Sequence, residues 1–179
     1  MNRLSVIFLI ITLSVVPIYS RSVTLPSTRT MKQRKANTQR IQRAERRDGY
    51  VEYTGFGSYK VHTDELTWDA ARRKCDEENA HLICINSEKE SKLARTLIDK
   101  EKSLAKADTI FIGMHDRFVT REFLTLTGEP LGNSGFTRWH KGEPSSESEH
   151  CGCINRHDGG LCDTNCKNRL PFICEREKI

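Results

Sequence analysis

The pattern of apolar and polar positions from about residue 50 onward predicts a mixture of helices and short strands. Aromatic and polar residues alternate in YVEYTGFGSYKVHT, and the glycines that interrupt them indicate two short strands with a kink between. Apolar residues recur at helical spacing in LTWDAARRKCDEENAHL, with Thr67 as the expected N-cap. The same spacing appears in SEKESKLARTLIDKEK, where Ser87 and Glu90 form a Ser-x-x-Glu capping box.

The rest of this region predicts further short strands and one long irregular segment. AHLICINS and TIFIGMHD are apolar runs of strand length, and PFICERE is expected to be the last strand. HCGCINR and LCDTNC flank the turn sequence HDGG and are expected to form a hairpin. Glycines and prolines recur between residues 121 and 163, which indicates a long loop region. We therefore expect an α+β domain.

The first 20 residues predict a secretory signal peptide. MNRLSVIFLIITLSVVPIYS has one basic residue, a short apolar run and then Pro17 and Ser20, after which we expect cleavage. No second apolar run reaches membrane length, so we expect no membrane span and a secreted, extracellular protein.

The charge of the remaining chain is unevenly divided. Residues 21–49 carry nine Lys or Arg against two acidic residues, a net charge of +7, whereas residues 50–179 carry a net charge of −3. The basic segment has no aromatic residue and few large apolar ones, so we expect a disordered tail. Residues 50–179 have the length of one compact domain.

The seven cysteines all lie in this domain, and in a secreted chain they predict disulfide bridges. Because seven is odd, at least one cysteine is free or pairs with another molecule. No nucleophile elbow, zinc-protease motif or phosphate loop is present, so we expect no enzyme activity, and we expect no nucleic-acid partner.

The stretch GEPSSESEHC, residues 142–151, is the main candidate for a site. It places Glu143, Glu147 and Glu149 in one short loop, where carboxylates repel one another unless a cation or solvent compensates. The stretch is therefore either a metal-binding site or a solvated acidic loop.

Several ordered motifs resemble the C-type lectin domain family, in particular the invertebrate haemolymph lectins described as lipopolysaccharide-binding. They are TWDAARRKC, AHLICINSEKE, FIGMHD, a Trp followed by GEP, EHCGCINR and GLCD, together with the cysteine spacing. The resemblance covers about residues 50–177. It implies the C-type lectin-like fold: two helices, small antiparallel sheets, paired termini and a long loop region. It also implies the bridges Cys75–Cys174 and Cys151–Cys166.

The resemblance further implies a calcium ion that binds sugar hydroxyls directly. Carried over by position, the metal ligands are Glu143, Ser145, Glu149 and Asp163, and Cys162 joins the same four in the carbohydrate-binding set. Ser145 and Cys162 replace family asparagines, and both are poorer partners for calcium than an amide oxygen. We therefore expect weak calcium binding. A second family site begins at Asp116, but Thr120 and His150 replace acidic ligands there, so we expect that site to be absent.

Cys153 and Cys162 are candidates for a third bridge. If Cys151 faces Cys166 across the hairpin, the other two are diagonal neighbours at about 7–8 Å, near the limit for a disulfide. Cys84 would then be left as a small buried residue. The alternative is an intermolecular bridge through Cys153 or Cys162.

These features predict a secreted recognition protein for surface glycans, including lipopolysaccharide, that acts in innate immunity with a degenerate calcium site. The alternative is a calcium-independent protein ligand or decoy that keeps the fold and has lost the sugar site. A protein partner and a homo-oligomer, disulfide-linked or non-covalent, both stay open.

Overall fold

The computed structural model describes residues 48–177 and the single position Gln33. The expected signal peptide lies outside the described residues, and so does nearly all of the expected basic tail. The chain divides into two units, Met1–Arg40 and Ile41–Ile179, and every element introduced below belongs to the second.

Two α-helices and eight strands make up this described region, as the α+β prediction required. The helices are α1 (Trp68–Glu77) and α2 (Glu88–Lys100). The strands are β1 (Val51–Tyr53), β2 (Gly57–Leu66), β3 (His81–Leu82), β4 (Thr109–His115), β5 (Leu124–Thr125), β6 (Cys151–Asn155), β7 (Leu161–Thr164) and β8 (Leu170–Glu177). Short 3₁₀ turns lie at Lys102–Leu104 and Leu131–Asn133.

The strands are connected in one mixed sheet, not in the separate small sheets that the resemblance implied. The order is β1-β2-β8-β4-β6-β7, with β3 beside β8 and β5 beside β4. Every pair is antiparallel except β4 and β8, which are parallel. The ten-residue β2 pairs with β8, so the two ends of the domain lie side by side.

The helices bury the faces that their sequence patterns predict. In α1, Trp68, Ala71 and Cys75 are buried, and the Trp68 indole N–H donates to the Ile112 carbonyl at 2.9 Å. In α2, Ala94, Leu97 and Ile98 are among the buried residues. Burial of these apolar side chains is the main stabilising contribution, on the order of 1.5–3 kcal/mol for each large one.

Of the two predicted helix caps, the one at Thr67 is not formed by its side chain and the one at Ser87 is formed in part. Thr67 precedes α1 in an extended conformation, but its hydroxyl makes no capping hydrogen bond. Ser87 accepts from the Glu90 amide at 3.2 Å, which is half of a capping box. The Glu90 carboxylate does not return to Ser87, because it accepts from the Asn86 amide at 2.8 Å and from the Tyr59 hydroxyl at 2.7 Å.

The structure contains the bridges Cys75–Cys174, Cys151–Cys166 and Cys153–Cys162, and Cys84 is free. The expected hairpin geometry was wrong in one respect. Cys153 lies directly opposite Cys162, with Cα atoms 4.8 Å apart, and Cys151 lies opposite Thr164. Since β7 ends at Thr164, Cys166 reaches Cys151 from beyond the strand, and the third bridge needs no diagonal reach.

Among the described residues, no helix has both the length and the apolar composition that a membrane crossing requires.

Candidate functional site

The β6–β7 hairpin and the acidic loop before it build the candidate site. Glu143, Ser145 and Glu149 lie on the loop, which runs directly into β6 at Cys151. Asp163 lies on β7 opposite Gly152. The bridge from Cys151 to Cys166 fastens the start of β6 to the segment after β7. The Glu143–Pro144 peptide bond is cis.

Ser145 connects the two sides of this site through hydrogen bonds. Its backbone N–H donates to Asp163 Oδ1 at 2.8 Å. Its hydroxyl donates to Glu149 Oε2 at 2.8 Å. The loop and the hairpin therefore bring Ser145, Glu149 and Asp163 together, and Glu143 is a neighbour of Asp163. These are the four residues that the resemblance assigned to the metal site.

Glu143 and Asp163 each keep one buried oxygen without a hydrogen-bond partner. The atoms are Glu143 Oε2 and Asp163 Oδ2, and Asp163 as a whole is 5% exposed. Burial raises the pKa of Glu143 above its ordinary value, and the neighbouring Asp163 carboxylate raises it further. Unpaired buried carboxylate oxygens are costly, and a cation between them would offset both their desolvation and their repulsion.

The donor set at this position suits a hard cation. Carboxylate and hydroxyl oxygens are the ligands that calcium prefers. Cys162 is 3% exposed and its sulfur is covalently joined to Cys153, so it has no free thiol to offer. Glu147, the third glutamate of the loop, is exposed.

Asp116, where the second family site would begin, is engaged within the protein. It is 2% exposed, its Oδ2 accepts from the Arg121 amide at 2.6 Å, and its Oδ1 is 2.9 Å from His150 Nδ1. Arg121 also donates through Nη1 to the Pro144 carbonyl at 2.7 Å. The segment after β4 is therefore fastened to both ends of the acidic loop.

A second group of side chains that could bind a metal ion already has partners within the fold. Within residues 48–177, the ligand atoms of His62, Glu78 and Cys174 lie within 4.8 Å of one another. Cys174 is bridged to Cys75, and the Glu78 carboxylate already accepts from Lys60 and Tyr50. A disulfide bridge and hydrogen bonds to Glu78 therefore account for the proximity of these three side chains.

A buried pair of glutamates lies at a separate cleft that the sequence did not predict. The cleft has a volume of about 370 Å³ and is lined in part by Glu90, Glu175 and Cys84. The Tyr59 hydroxyl lies 2.7 Å from Glu90 Oε1 and 3.0 Å from Glu175 Oε1. These residues are far apart in sequence, so no local pattern could have joined them. Cys84 is half-buried and not fully buried as expected, and desolvation raises the pKa of its thiol to about 12, which disfavours the reactive thiolate form.

The chain is similar to known proteins over most of the residues that the structure describes. The family model described as Lectin C-type domain matches residues 64–176. The hemolymph lipopolysaccharide-binding protein of Periplaneta americana is 44% identical over 135 residues, which are 72% of this chain and 52% of that protein. C-type lectin domain family 4 member A of Rattus norvegicus is 30% identical over 133 residues, 69% of this chain and 52% of that protein. The chain thus spans about half the length of the curated relatives it matches.

Solved structures share the same architecture. The C-type lectin domain of murine dendritic cell inhibitory receptor 2, solved in complex with an N-glycan, is 26% identical. It superposes with a TM-score of 0.61 and covers 73% of this chain and 97% of that chain.

Proposed function

The chain belongs to the C-type lectin domain family, and from this premise we propose that it is a secreted protein that recognises surface carbohydrate. The proposed ligands are microbial glycans, lipopolysaccharide among them, and the proposed role is immune recognition. C-type lectin domains are typically non-enzymatic, so the proposal is binding and not catalysis. The observation that carries it is the pair of buried, unpartnered oxygens on Glu143 and Asp163.

In this proposal Glu143, Glu149 and Asp163 hold calcium, with Ser145 beside them. When bound, the ion supplies open coordination positions to which sugar hydroxyls bind directly. The protein keeps the site in place before binding: the Ser145 amide fixes Asp163, and the Ser145 hydroxyl fixes Glu149. Because both family asparagines are missing, we expect a calcium dissociation constant in the weak range of about 10⁻⁴–10⁻³ M.

Two observations support secretion and the proposed ligand class. Three disulfide bridges in one domain are typical of proteins that fold in an oxidising compartment. The 44% identical relative is named as a hemolymph protein that binds lipopolysaccharide. The proposed organisation is a signal peptide over 1–20, a basic tail over 21–49 and the lectin domain over 50–179.

The second candidate is a calcium-independent protein ligand or decoy. Ser145 and the bridged Cys162 favour it, since neither offers the amide group that the family uses for both calcium and sugar. This candidate predicts that calcium leaves both the stability and the ligand binding of the protein unchanged.

Calorimetry with calcium on the wild type and three variants separates the two candidates. We expect weak binding in the wild type, tighter binding in Ser145→Asn, and no binding in Glu149→Ala. Glu147→Ala is the matched control, because Glu147 is an exposed glutamate of the same loop, and it should bind calcium as the wild type does.

A glycan array run with calcium and again with a chelator then tests sugar recognition. Binding of saccharides that disappears in chelator supports the lectin proposal. If neither the wild type nor Ser145→Asn responds to calcium, the loop is only acidic and solvated, and the second candidate stands.

A further inference from the structure

Two adjacent apolar side chains are exposed on the segment between β4 and β5. Over residues 48–177, the exposed large hydrophobic residues are Val51, Phe118 and Val119, at 54%, 80% and 52%. A single exposed apolar residue is ordinary. Phe118 and Val119 differ because they are neighbours, and arginines at positions 117 and 121 flank them.

The ring of Phe118 contacts the protein at one edge and is otherwise left in solvent. It packs edge-on against His115 with ring centroids 5.3 Å apart, and His115 packs in the same way against Trp68 at 5.5 Å. Trp68 is only 1% exposed, so this stack begins in the core. A contact that favours one orientation of an exposed ring lowers the conformational entropy lost when a ligand covers it.

The backbone beyond the exposed pair is also fixed. Arg121 has a φ of 72°, a region that non-glycine residues rarely adopt. The Asp116 carboxylate holds this conformation by accepting from the Arg121 amide at 2.6 Å, and His150 holds Asp116 from the other side at 2.9 Å. Such backbone conformations persist where surrounding contacts enforce them, often beside ligand sites.

Arg121 places positive charge between the exposed pair and the candidate sugar site. Its Nη1 donates to the carbonyl of Pro144, which lies between Glu143 and Ser145. Arg117 pairs with Asp69 at 2.6 Å. Among the salt bridges of the described residues none includes Arg121, whose Nη1 donates to a backbone carbonyl. A guanidinium carries five N–H donors, so Arg121 keeps donors for an anion such as a phosphate.

We propose that Phe118, Val119 and Arg121 form a contact for the acylated, phosphorylated end of a glycolipid, the lipid part of lipopolysaccharide. The apolar pair covers acyl carbons, Arg121 binds a phosphate oxygen, and the saccharide occupies the site at Glu143, Glu149 and Asp163. The combination of apolar and cationic groups matches an anionic amphiphile, and the Arg121–Pro144 hydrogen bond makes the surface continuous with the sugar site. The inference rests on the proposed function and assigns it a ligand class.

The experiment measures binding of the full chain, in calcium, to three probes. These are intact lipopolysaccharide, the lipid-free polysaccharide released from it, and vesicles of anionic phospholipid without saccharide. The test variants are Phe118→Ser/Val119→Ser and Arg121→Gln. The matched control is Val51→Ser, an exposed apolar residue on the outermost strand of the sheet. Thermal melting of each variant verifies the fold.

We expect the wild type to bind intact lipopolysaccharide about tenfold more tightly than the lipid-free polysaccharide. Phe118→Ser/Val119→Ser should lose this preference while binding the polysaccharide as the wild type does. Arg121→Gln should weaken binding of intact lipopolysaccharide, and Val51→Ser should change nothing.

Three other outcomes would count against the inference or its premise. A preference for intact lipopolysaccharide that survives in Phe118→Ser/Val119→Ser overturns the inference. Equal wild-type binding of phospholipid vesicles and lipopolysaccharide also overturns it, because the surface would then be a general membrane contact. A wild type that binds intact lipopolysaccharide through Phe118 and Val119, and does not bind the polysaccharide, upholds the lipid contact and contradicts the proposed sugar site.

Discussion

Glu90 and Glu175 hold two carboxyl groups in the interior, and one hydroxyl between them cannot satisfy both. They are 1% and 5% exposed, and Tyr59 Oη lies within 3.0 Å of each. A hydroxyl donates one hydrogen bond, and the Asn86 and Cys84 amides donate one more each to Glu90 and Glu175. These donors leave two buried carboxylates side by side, and their desolvation and repulsion favour the protonated form of Glu175. Burial and the charge of Glu90 raise the pKa of Glu175 from 4.5 to about 8.

The raised pKa predicts that stability falls as pH rises toward 8. The folded state holds the Glu175 proton more tightly than the unfolded state does, so the stabilisation is complete below the unfolded pKa and is lost through the folded pKa. The loss for one group is at most about 1.4 kcal/mol per pH unit. The melting temperature of the wild type should therefore fall relative to that of Glu175→Gln as the pH rises from about 4.5 to about 8.

Glu177→Gln is the control for this prediction, because Glu177 lies on the same strand and its side chain is 74% exposed. It should keep the wild-type pH profile. The lowered pKa values of His62 and His115 affect all three proteins equally and cancel in the comparison. Identical profiles for the wild type and Glu175→Gln would contradict the prediction.

At the scale of elements, local patterns located the helices and strands but not their long-range partners. Both helices and the β6–β7 hairpin follow from apolar spacing and turn residues. The sequence pattern assigned the side chain of Glu90 to a capping box. In the structure it accepts a hydrogen bond from Tyr59, which is 31 positions away, and Tyr59 also contacts Glu175 on β8. A local motif carries no information about such contacts, because they exist only after the sheet has formed.

The sequence likewise predicted only some of the residues now proposed to bind ligand. The resemblance supplied Glu143, Ser145, Glu149 and Asp163 as a set. In the structure Ser145 is hydrogen-bonded to Asp163 and to Glu149, and Glu143 is a neighbour of Asp163. Phe118 and Val119 were not singled out, since an apolar pair in a sequence looks the same whether it is buried or exposed. Only the stack on His115 and Trp68 shows that Phe118 is held outside the core.

The disulfide bridges close loops of different length, which predicts different contributions to the free energy of unfolding. Cys153–Cys162 spans a sequence separation of 9 residues and Cys75–Cys174 one of 99. In the chain-entropy model, the longer loop stabilises by about 2 kcal/mol more. We expect Cys75→Ala/Cys174→Ala to lower the free energy of unfolding by that much more than Cys153→Ala/Cys162→Ala, as measured by urea denaturation.

The two variants control for each other, because all four cysteines are buried and lose the same atoms. An unfolded Cys75→Ala/Cys174→Ala protein beside a folded Cys153→Ala/Cys162→Ala protein agrees with the predicted order. Equal or reversed losses would show that strain or cavities outweigh the entropy of loop closure.

At the scale of the whole molecule, residues 21–49 and residues 50–179 carry net charges of opposite sign. The net charge of the chain is +5, but residues 21–49 carry +7 and residues 50–179 carry −3. An anionic surface such as lipopolysaccharide therefore repels the domain as a whole, and the basic tail opposes this repulsion. The proposed tail and the proposed site would then share one task, with the tail attracting the surface and the domain selecting the sugar.

This division of roles predicts a salt-dependent effect of removing the tail. The deletion should cover residues 21–47 and keep Asp48, because Asp48 pairs with Arg176 at 2.7 Å and accepts from the Tyr50 amide. Screening reaches about 30 Å at 0.01 M salt and about 3 Å at 1 M. Binding of the truncated protein to lipopolysaccharide should be weaker at 0.01 M salt than that of the protein that keeps residues 21–47, and equal to it at 1 M. A full-length variant with glutamine in place of every Lys and Arg of residues 21–47 separates charge from length, and it should behave as the truncated protein does. If truncation leaves low-salt binding unchanged, the tail is a spacer, and recognition resides in the domain alone.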